Sequence, residues 1–327
     1  MRNFVLEETP RKERDGNDDE DKCFVLGTQN NCSRKIVDLR QLLNDKFNKN
    51  EIFCSFEIVS QRKPAIFYQR LLADMDKYLP LFYSLTWHDK AVSNDDYLPL
   101  NVAKSLSSNT LLHLTAKGFK RNQIIQILRK ALDLGIINIF ALRGDSLSKD
   151  GDFNYAADLV AFIRDQFGDT FCIFVAGYPQ THPNSPSKER DLYYLKLKVE
   201  TGADFIITQI CFESQIFVDF VRDCRRIGIE IPIVAGIFTP PSYDCLEKMT
   251  YVCKLDVPIE IKANVAQIKN DDEAVRKYAT DLTVRFITDV IRSKTTCGFH
   301  LIALNRLSQV ADVCKHIEFL KMGSKDA

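Results

Sequence analysis

An arginine, a glycine and an acid, Arg143-Gly144-Asp145, directly follow an apolar run over 136–142. Such a run reads as a buried parallel strand, and the ligands of α/β proteins collect beyond the carboxyl ends of those strands. A loop carrying both signs of charge at that place is a candidate for binding or acid–base work. The other apolar runs also end in polar residues: Glu57, then Thr86-Trp87-His88, then His113 and Thr115. Farther along come Tyr178 with His182, Thr208-Gln209, the region of Gly236, and Asn305-Arg306. A carboxylate, two histidines, an Arg–Asp pair and the single Trp at one mouth would suit a large aromatic, anionic ligand and proton transfer. Each has a plainer role when taken singly: Glu57 as a salt-bridged acid, His113 as a core imidazole, Trp87 as packing. Their occurrence at seven different run ends is what favours a site.

The elements that must carry these residues follow from the pattern. Short apolar runs at 52–56, 81–85, 110–114, 138–142, 171–176, 205–208, 231–235 and 299–304 alternate with helical stretches such as 124–134, 155–167, 192–201 and 217–227. Eight such alternations with no second linker predict an α/β fold, a single-domain (β/α)8 barrel over 35–320. An extra helix at 36–47 precedes the first strand, and two helical stretches, 259–267 and 271–291, form an insertion before the eighth. A doubly wound sheet would want a glycine-rich phosphate loop after its first strand, and neither GxGxxG nor a Walker sequence occurs. Residues 1–34, rich in charge and poor in apolar anchors, predict a disordered tail, and 321–327 a short carboxyl-terminal one.

Lys and Arg number 44, as do Asp and Glu, so no net field favours nucleic acid or an anionic membrane. Small-molecule partners are expected, with neither nucleic acid nor membrane among them, and a homo-oligomer is left open. The ten cysteines show neither CxxC nor metal-ligand spacing, so no metal site is expected. With no signal core and no apolar stretch near 20 residues, the sequence predicts a cytoplasmic protein with reduced thiols.

Several strings, in order, resemble the catalytic domain of the methylenetetrahydrofolate reductase family over about 53–306. They are Ser55-Phe56-Glu57, Thr86-Trp87-His88, Leu112-His113-Leu114-Thr115, Ala141-Leu142-Arg143-Gly144-Asp145 and Phe153-Asn154-Tyr155-Ala156. Val175-Ala176-Gly177-Tyr178-Pro179, Gly202-Ala203-Asp204-Phe205-Ile206-Ile207-Thr208-Gln209 and Leu304-Asn305-Arg306 continue the series. The resemblance implies reduction of 5,10-methylenetetrahydrofolate to 5-methyltetrahydrofolate by a ping-pong relay from NADH or NADPH through FAD, in the one-carbon metabolism that feeds methionine synthesis. It makes Glu57 the general acid that protonates the folate as its five-membered ring opens, burial at a barrel rim favouring a protonated carboxyl. Asp145 would stand between flavin and pterin, and Gln209 would hold the pterin. FAD contacts would fall on Thr86, Trp87, His113, Arg143, Gly144, Asp145, Tyr155, Ala156, Tyr178, His182, Asp191 and Lys198. Arg143 and Lys198 would face the diphosphate. Arg306 would pair with the folate glutamate, and Tyr243 would offer a stacking face.

The chain departs from the family pattern at Ile58-Val59-Ser60-Gln61-Arg62, beside the proton donor, at Asn184-Ser185, and at Ile302. It ends at Ala327, which predicts that the S-adenosylmethionine-binding regulatory domain is absent and that S-adenosylmethionine does not inhibit. Two other readings compete: a flavin- or folate-binding protein without turnover, and another pterin-using barrel such as a methyltransferase. Glu57, Asp145 and Gln209 together favour the reductase over the first. The FAD-type set of Arg143, Tyr155, Tyr178, Asp191 and Lys198 favours it over the second. Residue pattern does not choose between NADH and NADPH.

Overall fold

Runs that are apolar at every position must be buried on both faces, which a parallel sheet achieves when helices cover its outside and its own side chains fill its inside. The computed structural model describes residues 36–87, 97–106, 109–144 and 150–323. Among these, eight strands form: β1 (Phe53–Ile58), β2 (Tyr83–Leu85), β3 (Thr110–Thr115), β4 (Asn138–Leu142), β5 (Cys172–Gly177), β6 (Phe205–Thr208), β7 (Ile233–Ile237) and β8 (Gly298–Ile302). They pair in parallel in chain order, and β8 closes on β1 through pairs such as Ser55 with His300 and Glu57 with Ile302. The closed sheet is the predicted (β/α)8 barrel.

The helices are α1 (Leu39–Asn48), α2 (Ala65–Met75) with a single 3-10 turn at Asp76–Tyr78, α3 (Leu98–Ala103), α4 (Arg121–Asp133), α5 (Ala156–Phe167) and α6 (Lys188–Glu200). They continue with α7 (Ser214–Arg226), α8 (Tyr243–Cys253), α9 (Ile259–Gln267), α10 (Asp272–Arg292) and α11 (Ser308–Gly323). Helix α1 plugs the amino-terminal end of the barrel. Its Leu39 and Leu43 join Phe53, Phe82, Phe140, Phe174 and Phe205 in one buried cluster. Asn138 at the start of β4 fixes the plug, accepting the Leu39 N–H at 3.0 Å and donating to the Val37 carbonyl at 2.9 Å.

Several boundaries differ from the sequence reading. Helix α1 starts at Leu39, because Asp38 caps it by accepting the Arg40 N–H at 2.8 Å. Between β7 and β8 lie three helices: α8 joins the two of the insertion, and with α9 and α10 it encloses a separate apolar cluster around Leu246, Met249, Ile261 and Val275. Strand β8 stops at Ile302, since Leu304 and Asn305 take positive φ angles of 49° and 60° and turn the chain out of the sheet. Helix α11 crosses the boundary drawn at 320. In β7, Gly236 has a close-packing cause: a Cβ there would lie 2.0 Å from the Thr208 carbonyl oxygen of β6. The predicted amino-terminal tail lies outside the described residues. No helix among those described is long and apolar enough to cross a membrane.

Candidate active site

Alternate residues of a strand share a face, so Ser55 and Glu57 of β1 both point into the barrel. Glu57 lies nearer the carboxyl-terminal mouth, its side chain 16% exposed, and its Oε2 lies 3.6 Å from His300 Nε2 and 3.9 Å from His113 Nε2. His113 comes from β3, edge-on to Phe140 with ring centroids 4.9 Å apart. His300 comes from β8, where it is 1% exposed and stacks on Phe82 at 5.8 Å. Both its ring nitrogens meet hydroxyls: Ser55 Oγ at 2.7 Å from Nδ1, and Ser84 Oγ at 2.9 Å from Nε2. One carboxyl oxygen thus faces two imidazoles, an arrangement able to hold or release a proton at the rim. His300 and Ser84 were not singled out from sequence, and Ser55 stood only as part of the string Ser55-Phe56-Glu57; the available signal was a lone polar residue inside each apolar run.

The divergent loop after Glu57 is firmly held. Asn305 accepts the Val59 N–H at 2.8 Å and donates to the Val59 carbonyl at 2.9 Å. Thr86 accepts the Ser60 N–H at 3.3 Å, and its carbonyl accepts the Ser60 hydroxyl at 2.8 Å. The Tyr68 hydroxyl accepts the Gln61 N–H at 2.7 Å. Thr86 therefore fixes the rim beside the acid, while Trp87 is buried between Tyr97 and Phe119, 5.5 and 6.1 Å away by ring centroid. The Trp87 indole N–H has no hydrogen-bond partner among the described residues. After β4, the Arg143 carbonyl accepts the Lys117 N–H at 2.9 Å, and Gly144 adopts φ +76° with no room for a side chain. A Cβ there would lie 2.8 Å from Thr115 Cβ. Asp145 and His88 lie outside the described residues.

A second group forms where β5 meets α6. The Tyr178 and His182 rings meet edge to face at 4.5 Å. The His182 N–H is donated to Asp191 Oδ2 at 3.1 Å, and His182 Nδ1 accepts the Asn184 N–H at 3.0 Å, which assigns the ring proton to Nε2. Lys198 donates its ammonium to the Ala176 carbonyl of β5. Burial pushes Lys198 down to about 8 from 10.5, against the opposing attraction of Asp191. Burial raises Asp191 above the usual carboxylate range, while the His182 N–H and Lys198 pull it back. Tyr155, just before Ala156 opens α5, is 60% exposed and stacks with Tyr194 at 6.4 Å. Asp158 holds that turn by accepting the Tyr155 N–H at 2.9 Å.

Next to this group, Gln209 follows β6, donating its N–H to the Gly177 carbonyl of β5 at 2.8 Å and accepting the Ile210 N–H on its side-chain oxygen at 2.9 Å. Arg306 lines a cavity with Val59, Gln61, Cys245, Lys248 and Leu304. Tyr243, at the start of α8, packs on the apolar cluster of that helix.

The family model for methylenetetrahydrofolate reductase matches residues 42–318, nearly the whole barrel. The chain belongs to the methylenetetrahydrofolate reductase family. It is 34% identical over 260 residues to a probable methylenetetrahydrofolate reductase (NADPH) of Caenorhabditis elegans, a match covering 74% of this chain and 38% of the relative. Methylenetetrahydrofolate reductase (NADH) 1 of Arabidopsis thaliana is 36% identical over 260 residues, with 72% and 43% covered. Methylenetetrahydrofolate reductase 2 of Schizosaccharomyces pombe is 34% identical over 309 residues, with 86% and 47% covered. The chain thus spans under half the length of these family members. A solved structure from Clostridium thermocellum, an uncharacterized protein that binds two copies of 5-methyl-5,6,7,8-tetrahydrofolic acid, shares the fold at TM-score 0.56 and 12% identity, covering 86% of this chain and 99% of its own. In this family setting, the described residues of the strings at the ends of β1, β2, β3, β4, β5, β6 and β8 are gathered at the carboxyl-terminal mouth of the barrel.

Proposed function

We propose that the chain catalyses FAD-dependent reduction of 5,10-methylenetetrahydrofolate to 5-methyltetrahydrofolate with NADH or NADPH, in the cytoplasm. The observation that carries this reading is a family-matched barrel whose mouth holds Glu57 against the Nε2 atoms of His113 and His300. A proton donor is what the folate's ring opening needs.

The residues present fit a flavin dinucleotide. Its diphosphate calls for cations, and Arg143 and Lys198 supply them around the adjacent ends of β4 and β5. An ammonium kept where burial pushes it down to about 8 is unfavourable for the protein alone and suits an anionic ligand. The bare backbone at Gly144 allows close approach, and the buried Trp87 N–H offers a donor. His113, Tyr155, Ala156, Tyr178, His182 and Asp191 complete the residues proposed to hold the cofactor. When bound, the flavin supplies the ring that accepts a hydride from the nicotinamide and yields it to the folate.

The chain's own residues do the rest. Glu57 gives its proton to the folate amine nitrogen as the five-membered ring opens, and the carboxylate left behind faces the two imidazoles. Asp145 and Gln209 orient the pterin through its N–H groups and acceptors. Arg306, with its cavity, receives the glutamate carboxylates, and Tyr243 offers an aromatic face. The test is reconstitution: purified chain is mixed with FAD, bleached anaerobically with NADH or NADPH, then reoxidised with methylenetetrahydrofolate. Flavin uptake, bleaching and folate-dependent recovery of colour are expected; a chain that takes up no flavin overturns the proposal.

A further inference from the structure

Deep to Glu57, three strands contribute one hydrogen-bonded unit. Ser55 on β1 pairs in register with His300 on β8, and Ser84 on β2 pairs with Glu57. The His300 ring therefore lies between two hydroxyls, at 2.7 and 2.9 Å, and flat on Phe82 with an interplanar angle of 15°. Neither ring rotation nor water can satisfy its nitrogens, because Ser55, Ser84 and His300 are all 1% exposed or less. A hydroxyl both donates and accepts, so either tautomer of a neutral imidazole is fully bonded here. The Nε2 edge is the part left to choose: it meets Ser84 at 2.9 Å and Glu57 Oε2 at 3.6 Å.

We infer that His300 is a positioning residue for Glu57, a neutral imidazole that moves its Nε2–H between Ser84 and the Glu57 carboxylate. While Glu57 carries its proton, Nε2–H is given to Ser84. When that proton has passed to the substrate nitrogen, Glu57 carries a negative charge, and its Oε2, 3.6 Å from Nε2, closes on the Nε2–H over less than an ångström of travel. No proton leaves His300 and its charge does not change; only the acceptor of one hydrogen bond does. Glu57 is recharged from the mouth, where it retains its 16% exposure, and not through the buried serines. Titratable groups face Glu57 from β3, as His113, and from β8, as His300, while β2 contributes the Ser84 hydroxyl. Asp145, after β4, lies outside the described residues. His113 meets Phe140 edge to face, with ring centroids 4.9 Å apart.

This inference rests on the role proposed for Glu57, and its test separates the two. The carboxyl stretching band of Glu57 is followed by infrared difference spectroscopy across pH in the full chain, assigned by its absence in Glu57→Gln; neither flavin nor folate is needed. Two variants move it in opposite directions. His300→Phe removes the donor to the carboxylate, and a hydrogen bond to a charged group is worth about tenfold in equilibrium, so the band persists to higher pH by about one pH unit. Ser84→Ala removes the competing acceptor and leaves Nε2–H to Glu57, so the band disappears at lower pH. In flavin-loaded protein the same two variants keep the wild-type rate of bleaching by NADH or NADPH, and His300→Phe loses about tenfold in folate-dependent reoxidation with the folate KM unchanged. Shifts of opposite sign in the two variants support the assignment. Shifts of the same sign, or no shift with both half-reactions slowed together, overturn it, since a purely structural role moves both variants alike. Should the reduction itself fail while the opposite shifts appear, the function proposed above falls and this coupling stands.

Discussion

Lys198 presents a conflict between stability and ligand binding that Lys198→Met resolves in favour of stability. Its ammonium is partly buried, bonded to the Ala176 carbonyl, and burial pushes it down to about 8. Against an ordinary value of 10.5, a depression of that size at about 1.4 kcal/mol per pH unit means about 3 kcal/mol is spent holding the charge in the fold at neutral pH. Methionine keeps the length and apolar stem, removes that penalty, and loses one hydrogen bond worth about 1 kcal/mol. The variant should therefore be more stable than the parent by about 1–2 kcal/mol at pH 7, measured by urea unfolding of flavin-free protein. The pH dependence has a definite sign. Folding depresses this pKa, so the penalty is complete below about 8 and fades as pH rises from there toward 10.5, where lysine is neutral in both states. The advantage of the variant should shrink over that window. FAD affinity, read by flavin fluorescence, should fall by about 10- to 100-fold through loss of a charge-assisted contact. A variant less stable than the parent at pH 7, or one binding FAD as tightly, would refute the assignment of Lys198 as a cation held for an anion.

Glu57→Gln should bleach normally with NADH or NADPH and lose folate-dependent reoxidation by about 10²- to 10⁴-fold, checked by anaerobic stopped flow; unchanged reoxidation removes Glu57 as the acid. Asn305→Ala strips both bonds from Val59 and leaves alanine at φ 60°, so urea unfolding should show a loss of about 2–3 kcal/mol. Burial pushes Cys211 and Cys224 up to about 12 and Cys297 up to about 11, so native protein treated with iodoacetamide at pH 8 should leave all three unmodified by mass spectrometry, whereas urea-unfolded protein labels fully.

Why the barrel could be read from sequence, and the depth of its site could not, is a matter of side-chain direction. Parallel strands buried on both faces declare themselves as continuous apolar runs, and all eight were visible on that ground. Glu57, at the edge of its run, stood out because polarity changes there. His300 did not, because Phe299 and Leu301 flank it as they would in any core strand, and only the pairing with Ser55 shows that it points inward toward Glu57. Registers between strands hundreds of residues apart leave no local mark. Helix α8 had a local mark that went unused: Pro240 and Pro241 followed by Ser242, whose hydroxyl accepts the Cys245 N–H at 3.2 Å as an amino-terminal cap. The bends at Leu304 and Asn305 were hidden for another reason, since positive φ at a non-glycine residue is imposed by the Asn305 bonds to Val59.

The closure of β8 on β1 has a consequence for the order of events during synthesis. Ser55 and His300 are 245 residues apart, and Val59 and Asn305 are 246 apart. On a ribosome, the acid on β1 emerges long before the imidazole that faces it, and every contact between them must wait for the last strand. Chemistry at this mouth is therefore all-or-none with respect to topology: without β8 the barrel has an open seam beside the carboxyl group, and Cys297, just before that strand, is missing from the amino-terminal cluster. Slow, long-range closure of this kind sets the pace of folding in parallel barrels. The hydrogen bonds of His300 to Ser55 and Ser84 thus form only with the final strand in place.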